Sequence, residues 1–504
     1  MTLRAVTTGP DRTTSLSHPE RRLLLWLFVL MAVAFSLFQE GMIVGYDGQT
    51  MYAVTESIVE RGTVAISGEW NTLPGREGLQ YSRYGPGLSL VAIAPYVLAR
   101  PLAVLSGHRT EVLAAAVAWL MPLINAALVV ALYLLARRLG ARFGAALLVG
   151  AGGVLGTFAL PYAKEFFSEP LATLCLVVAI ERVLAARPAA AGLAMAAAVL
   201  TRAQTVLLAP VLLLVAWRRQ GVPGLLRASA GLAPGLVATL AYNLARYGDP
   251  LSFGYQDVGF TTPLLEGAGG LLFNPLKSVF LFAPIVLLLP FALRDLGSRN
   301  RPAFLLIVGN LAITFATAAL WFAWHGGWSW GPRLLLPGIV PAIAAVGPWI
   351  STRPRQRVAA LLLAAGFVVS FPALIVSTQA QQLEVPPVPP ETHFLDTQPL
   401  SSPAVGRQFE LIPSRVRYSV EHLYEDHPGG TEHLRSLSLW QLGMARVMGR
   451  AGLALAAVAT VLLLLTGVVA FRRLGDAARQ LVRHGPIGAG PRMAAPGGAH
   501  VERP

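Results

Sequence analysis

Gly85-Pro86-Gly87-Leu88-Ser89-Leu90-Val91-Ala92-Ile93-Ala94-Pro95-Tyr96-Val97-Leu98-Ala99-Arg100-Pro101-Leu102-Ala103-Val104-Leu105-Ser106 is the stretch on which the topology turns. Its uninterrupted apolar part stops at Arg100-Pro101, and Pro86 and Pro95 interrupt it further. A bilayer core takes about 20 apolar residues per helix, so the run is short for a crossing. The arginines around it decide the reading. If 85–106 crossed, Arg137, Arg138 and Arg142 would lie outside, with every later basic cluster. If it lies in the outer interface, all of them fall inside: Arg182/Arg187, Arg218/Arg219/Arg227, Arg294/Arg299/Arg301, Arg353/Arg355/Arg357 and Arg472/Arg473. That is a consistent positive-inside pattern. The run is therefore read as interfacial or re-entrant, with both termini cytoplasmic.

The rest of the 504 residues fits that frame. Charged residues are 13%, against roughly 25% in soluble domains, and hydrophobic residues are 54% with mean hydropathy +0.57. So few charges cannot cover a soluble surface, and such hydrophobicity excludes a disordered chain. One cysteine, Cys175, excludes a disulfide scaffold. The net charge of +14 is assigned to topology and anionic-lipid attraction, not to nucleic acid. About twelve crossings are expected, at 22–40, 111–136, 143–162, 169–186, 189–201, 203–217, 228–247, 271–293, 302–323, 333–350, 357–378 and 450–471. The expected class is an all-α polytopic membrane protein. Residues 1–21 form a cytoplasmic segment, followed by a transmembrane module at 22–378 with a first outer loop at 41–110. An extracytoplasmic region at 379–449, a last span at 450–471 and a disordered cytoplasmic tail at 472–504 complete it. The first apolar run lacks a clear cleavage site and reads as a retained anchor.

Outer stretches hold the unusual polar residues. After Asp47, apolar residues at Met51, Val54 and Ile58 and a glycine at 62 predict a helix with Asp47 at its start. Asp47 is either an N-cap or a general base at the outer face. A turn carrying Lys164, Glu165, Ser168 and Glu169 offers either snorkelling charges and a helix start or an acid pair with a cation. Arg202 sits where two short apolar helices join; it either snorkels to head groups or lines a polar cavity and binds an anion. Tyr242–Tyr255 and Trp321–Arg333 are dense in aromatic and polar groups, as an aromatic belt or a sugar site would be. Asn243, Tyr255, Trp324, His325 and Trp328 are the candidates there. No phosphate-binding Gly-x-x-x-x-Gly-Lys loop or Gly-x-Ser-x-Gly elbow occurs. His422, His427 and His433 fit no standard metal-ligand spacing.

Taken together, these residues resemble the GT-C superfamily of polyprenyl-phosphate-sugar glycosyltransferases, which includes protein O-mannosyltransferases and lipid A aminoarabinose transferases. The resemblance covers roughly 22–378. It rests on Asp47 with Met51-Tyr52-Ala53 and Gly62, on Arg83-Tyr84-Gly85-Pro86-Gly87, on Glu165 with Glu169-Pro170, on Thr201-Arg202, and on Trp328-Ser329-Trp330-Gly331-Pro332-Arg333. The family often has Asp-Glu in the first loop; here Asp47 is followed by Gly48.

The resemblance implies transfer of a sugar from a polyprenyl-phosphate donor to an extracytoplasmic protein, lipid or glycan hydroxyl, with inversion. Asp47 would be the base. Arg202, Arg333 and Lys164 would hold the donor phosphate, and Glu165 and Glu169 would form a second acidic site. Tyr52, Arg83, Tyr84, Asn243, Tyr255, Trp324, His325 and Trp328 would line the substrate. No cofactor is required by this reading; a divalent cation is left open, and no metal ligands are assigned. Membrane lipids are the other partner expected. The competing reading is a carrier that flips a lipid-linked sugar or related amphiphile, which should place polar residues along a path to the inner face.

Overall fold

The computed structural model describes residues 17–67, 71–255, 258–380, 404–425 and 432–484. The protein is all-α, 77% helical. Its strands among the described residues are β1 (Thr72–Pro74) and β2 (Gln80–Ser82), an antiparallel hairpin in the first loop with Leu73 opposite Tyr81.

Helix α1 (His18–Leu37) starts at a capping box in which Ser17 and Glu20 satisfy each other's backbone donors. Helix α2 (Tyr46–Arg61) buries Met51 and Val54 on one face and stops at Gly62, whose φ of 66° is left-handed. Then come α3 (Gly87–Ser106), α4 (Arg109–Ala118), α5 (Leu120–Arg138), α6 (Phe143–Leu155), α7 (Ser168–Leu184), α8 (Pro188–Thr201) and α9 (Ala209–Tyr247). The second half holds α10 (Leu264–Phe273), α11 (Val279–Phe282), α12 (Leu289–Arg299), α13 (Arg301–Leu320), α14 (Leu336–Ile343) and α15 (Val346–Trp349). It closes with α16 (Arg353–Ser370), α17 (Pro372–Ile375), α18 (Ala404–Glu421) and α19 (Trp440–His484).

Among the described residues six helical runs are long and apolar enough to cross a membrane, not twelve: Gly87–Ser106, Arg109–Arg138, Ala203–Tyr247, Arg301–Leu320, Arg353–Ile375 and Trp440–Val482. They indicate a multi-pass membrane protein. On the last, Leu455, Val458, Leu462, Leu465 and Val469 recur at three and four residues and are exposed along one face, as lipid contact requires. Proline and charge account for much of the shortfall. The run expected at 271–293 breaks into short pieces because Pro275, Pro284 and Pro290 each lack a backbone donor. The run at 333–350 becomes α14 and α15 for a related reason, with Pro337, Pro341 and Pro348 in it. Helix α6 has 13 residues and α8 has 14. Helix α1 has 20 but carries Glu20, Arg21 and Arg22 in its first turns. The 45-residue run Ala203–Tyr247 folds back at Gly221, where φ 63° and ψ −157° suit glycine.

The deciding stretch behaves differently from its reading in one respect. Pro95 and Pro101 lie inside α3 without ending it, so it is a continuous 20-residue helix and meets the length of a span. Each proline forfeits one backbone bond, and the helix continues on both sides. Helix α3 packs on α2 and α4, and Arg100 and Arg109 both pair with Glu60 at the end of α2, at 3.5 and 2.8 Å. The tail also differs from expectation. Helix α19 runs through 472–484, held by buried Leu474 and Ala477, so that part is ordered helix. Residues 485–504, the Glu384–Pro390 proline-rich stretch, His393, Asp396, Asp426 and His427 lie outside the described residues.

Two cores position the site. The larger joins α1, α5–α9 and α12–α16; the smaller seats α2, α3 and α4 on Phe166 and Leu171. Helices α8 and α9 touch backbone to backbone, since a Cβ on Gly192 would lie 2.1 Å from the Ala228 carbonyl. Close small-residue contact is how helices associate where no hydrophobic effect drives them together.

Candidate active site

Asp47 stands in the first turn of α2, but it is not the cap. Gly45 occupies that position with φ 91°, and no side chain caps the helix. The Asp47 carboxylate is instead turned to tertiary partners. Arg333 Nη2 lies 2.8 Å from Oδ2, Asn71 Nδ2 donates to Oδ1 at 3.0 Å, and the Tyr84 hydroxyl also bonds to it. A carboxylate offers about four lone-pair directions, so three donors do not exhaust it. Gly48 permits the approach of this helix: a Cβ there would meet the Phe166 carbonyl at 2.8 Å.

Arg333 carries the network onward. Its Nε lies 3.8 Å from Glu169 Oε1, and Arg202 Nη1 lies 2.8 Å from the same oxygen. Arg202 also donates to Ser168 Oγ at 3.2 Å. Glu169 is 2% exposed, a burial tolerated because two guanidiniums face it. The Phe167 ring stacks under Arg333 at 4.6 Å. The carboxylates of Asp47 and Glu169 hold Arg333 protonated more firmly than usual, overriding its desolvation. Burial beside Asp47 pushes the Tyr84 hydroxyl well up, so it remains a donor.

Local backbone explains how 324–333 presents Arg333. Gly326, Gly327 and Gly331 all have positive φ, and the coil they form is pinned from outside. Lys277 donates to the Gly327 and Ser329 carbonyls at 2.8 and 2.6 Å, and Tyr162 donates to Trp330 O at 2.7 Å.

A cavity of about 50 Å³ adjoins this network through Tyr84, Ser168 and Arg202. Its lining includes Arg83, Arg202, Arg246, Asn243 and Tyr255, with no carboxylate among the described lining residues. Arg246 is 2% exposed, sandwiched by Tyr242 and Tyr247 rings at 4.0 and 4.7 Å, and donates to Asn243 Oδ1 at 2.7 Å and to Ser82 O. It thereby fastens the end of β2, and with it Arg83 and Tyr84, against α9.

The expected residues divide. Asp47, Arg202, Arg333 and Glu169 form one linked cluster, and Arg83, Tyr84, Asn243 and Tyr255 line the adjoining cavity. Lys164 does not join them: it is buried, its ammonium donates to Leu374 O at 3.1 Å, and desolvation lowers its pKa. Glu165 does not join either; it accepts from Thr378 at 2.7 Å, and burial raises its carboxyl to about 7. Of the two acids only Glu169, in the first turn of α7, pairs with Arg202; the Glu165 carboxylate is engaged by Thr378. Tyr52 points to the far side of α2, with its ring 6.0 Å from Tyr96. Trp324 packs in the core against α10, while His325 accepts from Gly327 N at 3.0 Å and Trp328 is half-buried; none lines the cavity. Asn71 and Arg246 were not anticipated. The second lies in the aromatic stretch already noted; the first, at φ 55° in the left-handed region that asparagine tolerates, has no sequence signal beyond its residue type. Among the described residues no group of three His, Cys, Asp or Glu side chains could hold a metal.

No family model matches this chain, and no curated protein matches it.

Proposed function

We propose that the protein is a membrane glycosyltransferase of the GT-C kind, moving a sugar from a polyprenyl-phosphate donor to an acceptor hydroxyl on the outer face. The observation that carries this reading is the Asp47 carboxylate, held by Arg333, Asn71 and Tyr84 at the edge of an arginine-lined cavity. Such a cavity suits a phosphate, and an adjacent carboxylate suits a base. The donor-phosphate set is revised to Arg202 and Arg83, with Arg246 behind them. Arg202 pairs with Glu169 but also lines the cavity, whereas Arg333 is engaged by two carboxylates and does not line it, and Lys164 is buried elsewhere.

In this mechanism Asp47 takes the acceptor's hydroxyl proton. The oxygen forms a bond to the anomeric carbon from the face opposite the phosphate. The carbon–oxygen bond to phosphate breaks, and its electron pair leaves with the polyprenyl phosphate. The arginines stabilise the charge that collects on the leaving group, so no acid is needed there. Inversion follows from the single in-line displacement.

Helix lengths support a site that lies beyond the hydrocarbon core, and the arginine distribution assigns that side to the outside. Arg109–Arg138 spans 30 residues, or about 45 Å at 1.5 Å per residue, against a ~30 Å core. Trp119, where α4 meets α5, packs edge-on against Trp440 at 5.7 Å, and Gln39 donates to Ala118 O at 2.7 Å. Trp440 is buried at that junction, and α2, α3 and α4 pack together beyond it. On this reading α3 lies at the outer interface and both termini are cytoplasmic.

The test is release of free polyprenyl phosphate from short-chain polyprenyl-phosphate sugars by the purified protein, wild type against Asp47→Asn. A general base supplies ~10²–10⁴-fold, so the variant should lose at least a hundredfold while its melting temperature and donor binding persist. No release by wild type with any donor, even with envelope extract as acceptor, would turn the reading to a carrier.

A further inference from the structure

At the opposite end of the molecule from Asp47, the start of α1 and the last part of α19 enclose a cleft of about 390 Å³ lined by Arg22, Arg473, Asp476, Arg479 and Gln480. Its walls come from the two ends of the described chain, and both are fixed. The capping box at Ser17 and Glu20 sets where α1 begins. Buried Leu474 and Ala477 hold α19 against the body after its apolar stretch ends. Arg473, Asp476 and Gln480 recur at three and four residues, so they share one helix face. Arg479 Nη2 pairs with Asp476 Oδ1 at 2.6 Å, which leaves that guanidinium compensated. Arg22 and Arg473 have no ion-pair or hydrogen-bond partner among the described residues, although each is charged. Each stands at an end of an apolar stretch: Leu23 follows Arg22, and Phe471 precedes Arg472 and Arg473. On α19, one of the six candidate spans, that is head-group depth, and α1 packs along it.

We infer that this cleft binds the phosphate of an anionic phospholipid head group in the inner leaflet. The chemistry is that of paired guanidiniums and a phosphate oxyanion, in a recess with an amide, Gln480, to accept or donate beside it. A basic recess between membrane helices on the cytoplasmic side is suited to such a head group. Arg22 and Arg473 come from opposite ends of the chain, so a head group between them would tie α1 to α19. General attraction between an arginine-rich face and anionic lipid would not need a cleft, and this distinction shapes the test.

The full chain is reconstituted in nanodiscs of phosphatidylcholine with a minor fraction of phosphatidylglycerol, then carried into detergent, and retained lipid is counted by native mass spectrometry. Phosphatidylglycerol should be enriched on wild type, and Arg22→Gln/Arg473→Gln should lower its retention by about five-fold per arginine removed. Arg218→Gln/Arg219→Gln removes the same charge from exposed arginines on the same side and should retain it. Equal loss in both double variants would overturn the site in favour of diffuse attraction. No enrichment on wild type would overturn it outright. Arg22→Lys/Arg473→Lys keeps the charge and loses the forked contact; retention between wild type and the glutamine variant supports the pairing and shows that the fold is intact. In phosphatidylcholine discs alone, inorganic phosphate should not raise the melting temperature; a rise lost in the glutamine variant would assign the cleft to free phosphate instead.

Discussion

The Asp47 carboxylate bonds to tertiary partners and does not cap its own helix. Arg333 and Asn71 bond to its two oxygens separately, which holds the carboxylate in one orientation. Asparagine at 47 keeps the shape: its one oxygen accepts from Arg333, and its amide nitrogen donates to an Asn71 amide turned over to present its oxygen, so the expected result is loss of transfer with folding kept. Glu165 makes a different prediction, of stability. Its folded carboxyl titrates at about 7, raised from 4.5 by burial, while Lys164 and its bond from Thr378 work against that rise and Glu40 adds to it. The folded state therefore keeps a proton that the unfolded chain surrenders near pH 4.5. Stabilisation from the neutral form is full below that pH and is lost as pH rises through about 7. Thermal melts in detergent between pH 4.5 and 8 should slope downward for wild type, and Glu165→Gln should flatten the slope. An unchanged slope would assign it to another group.

At the scale of elements, the start of α3 is fastened to the end of α8. A Cβ at position 87 would lie 2.3 Å from Thr201 Oγ1 and 2.7 and 2.8 Å from Thr201 Cα and N. Alanine gains up to about 1 kcal/mol of helix propensity over glycine, but overpacking against a backbone costs about 1–3 kcal/mol. The clash wins because a backbone at the junction of two helices has little room to move. Gly87→Ala should lower the melting temperature and, by displacing Arg202 next to Thr201, reduce turnover more than tenfold. Equal melting and activity in the variant would show that the junction can shift. Element edges also explain the lost crossings: α11, α14 and α15 are short where prolines remove donors, and α3 is long despite two of them.

Across the whole molecule, the arrangement of arginines predicts sidedness. In a Cys175→Ser background, Leu79→Cys in the first loop should react with a membrane-impermeant maleimide in intact cells, and Arg219→Cys only after permeabilisation; Leu79 and Arg219 are both exposed. The reverse pattern would overturn the topology and move the site to the other face. The all-α membrane class and the helix carrying Asp47 were legible in residue order, because apolar periodicity and charge scarcity are local properties. So was the junction at Arg202, where an arginine interrupts an apolar run. The number of long spans was not, since whether a proline ends a helix depends on what packs beside it. Nor was the division of the acids and cations. Glu165 and Glu169 differ by four positions, yet one faces Thr378 and the other two arginines. Lys164 reads as a surface cation and is buried against Leu374. Asn71 and Arg246 reach the site from 24 residues after Asp47 and from a distant helix. Composition and periodicity thus determine that this chain carries helices apolar enough for a membrane. Which charges meet is decided by packing between segments far apart in sequence, because an ion pair's partner is set by distance in space and by shared exclusion from water.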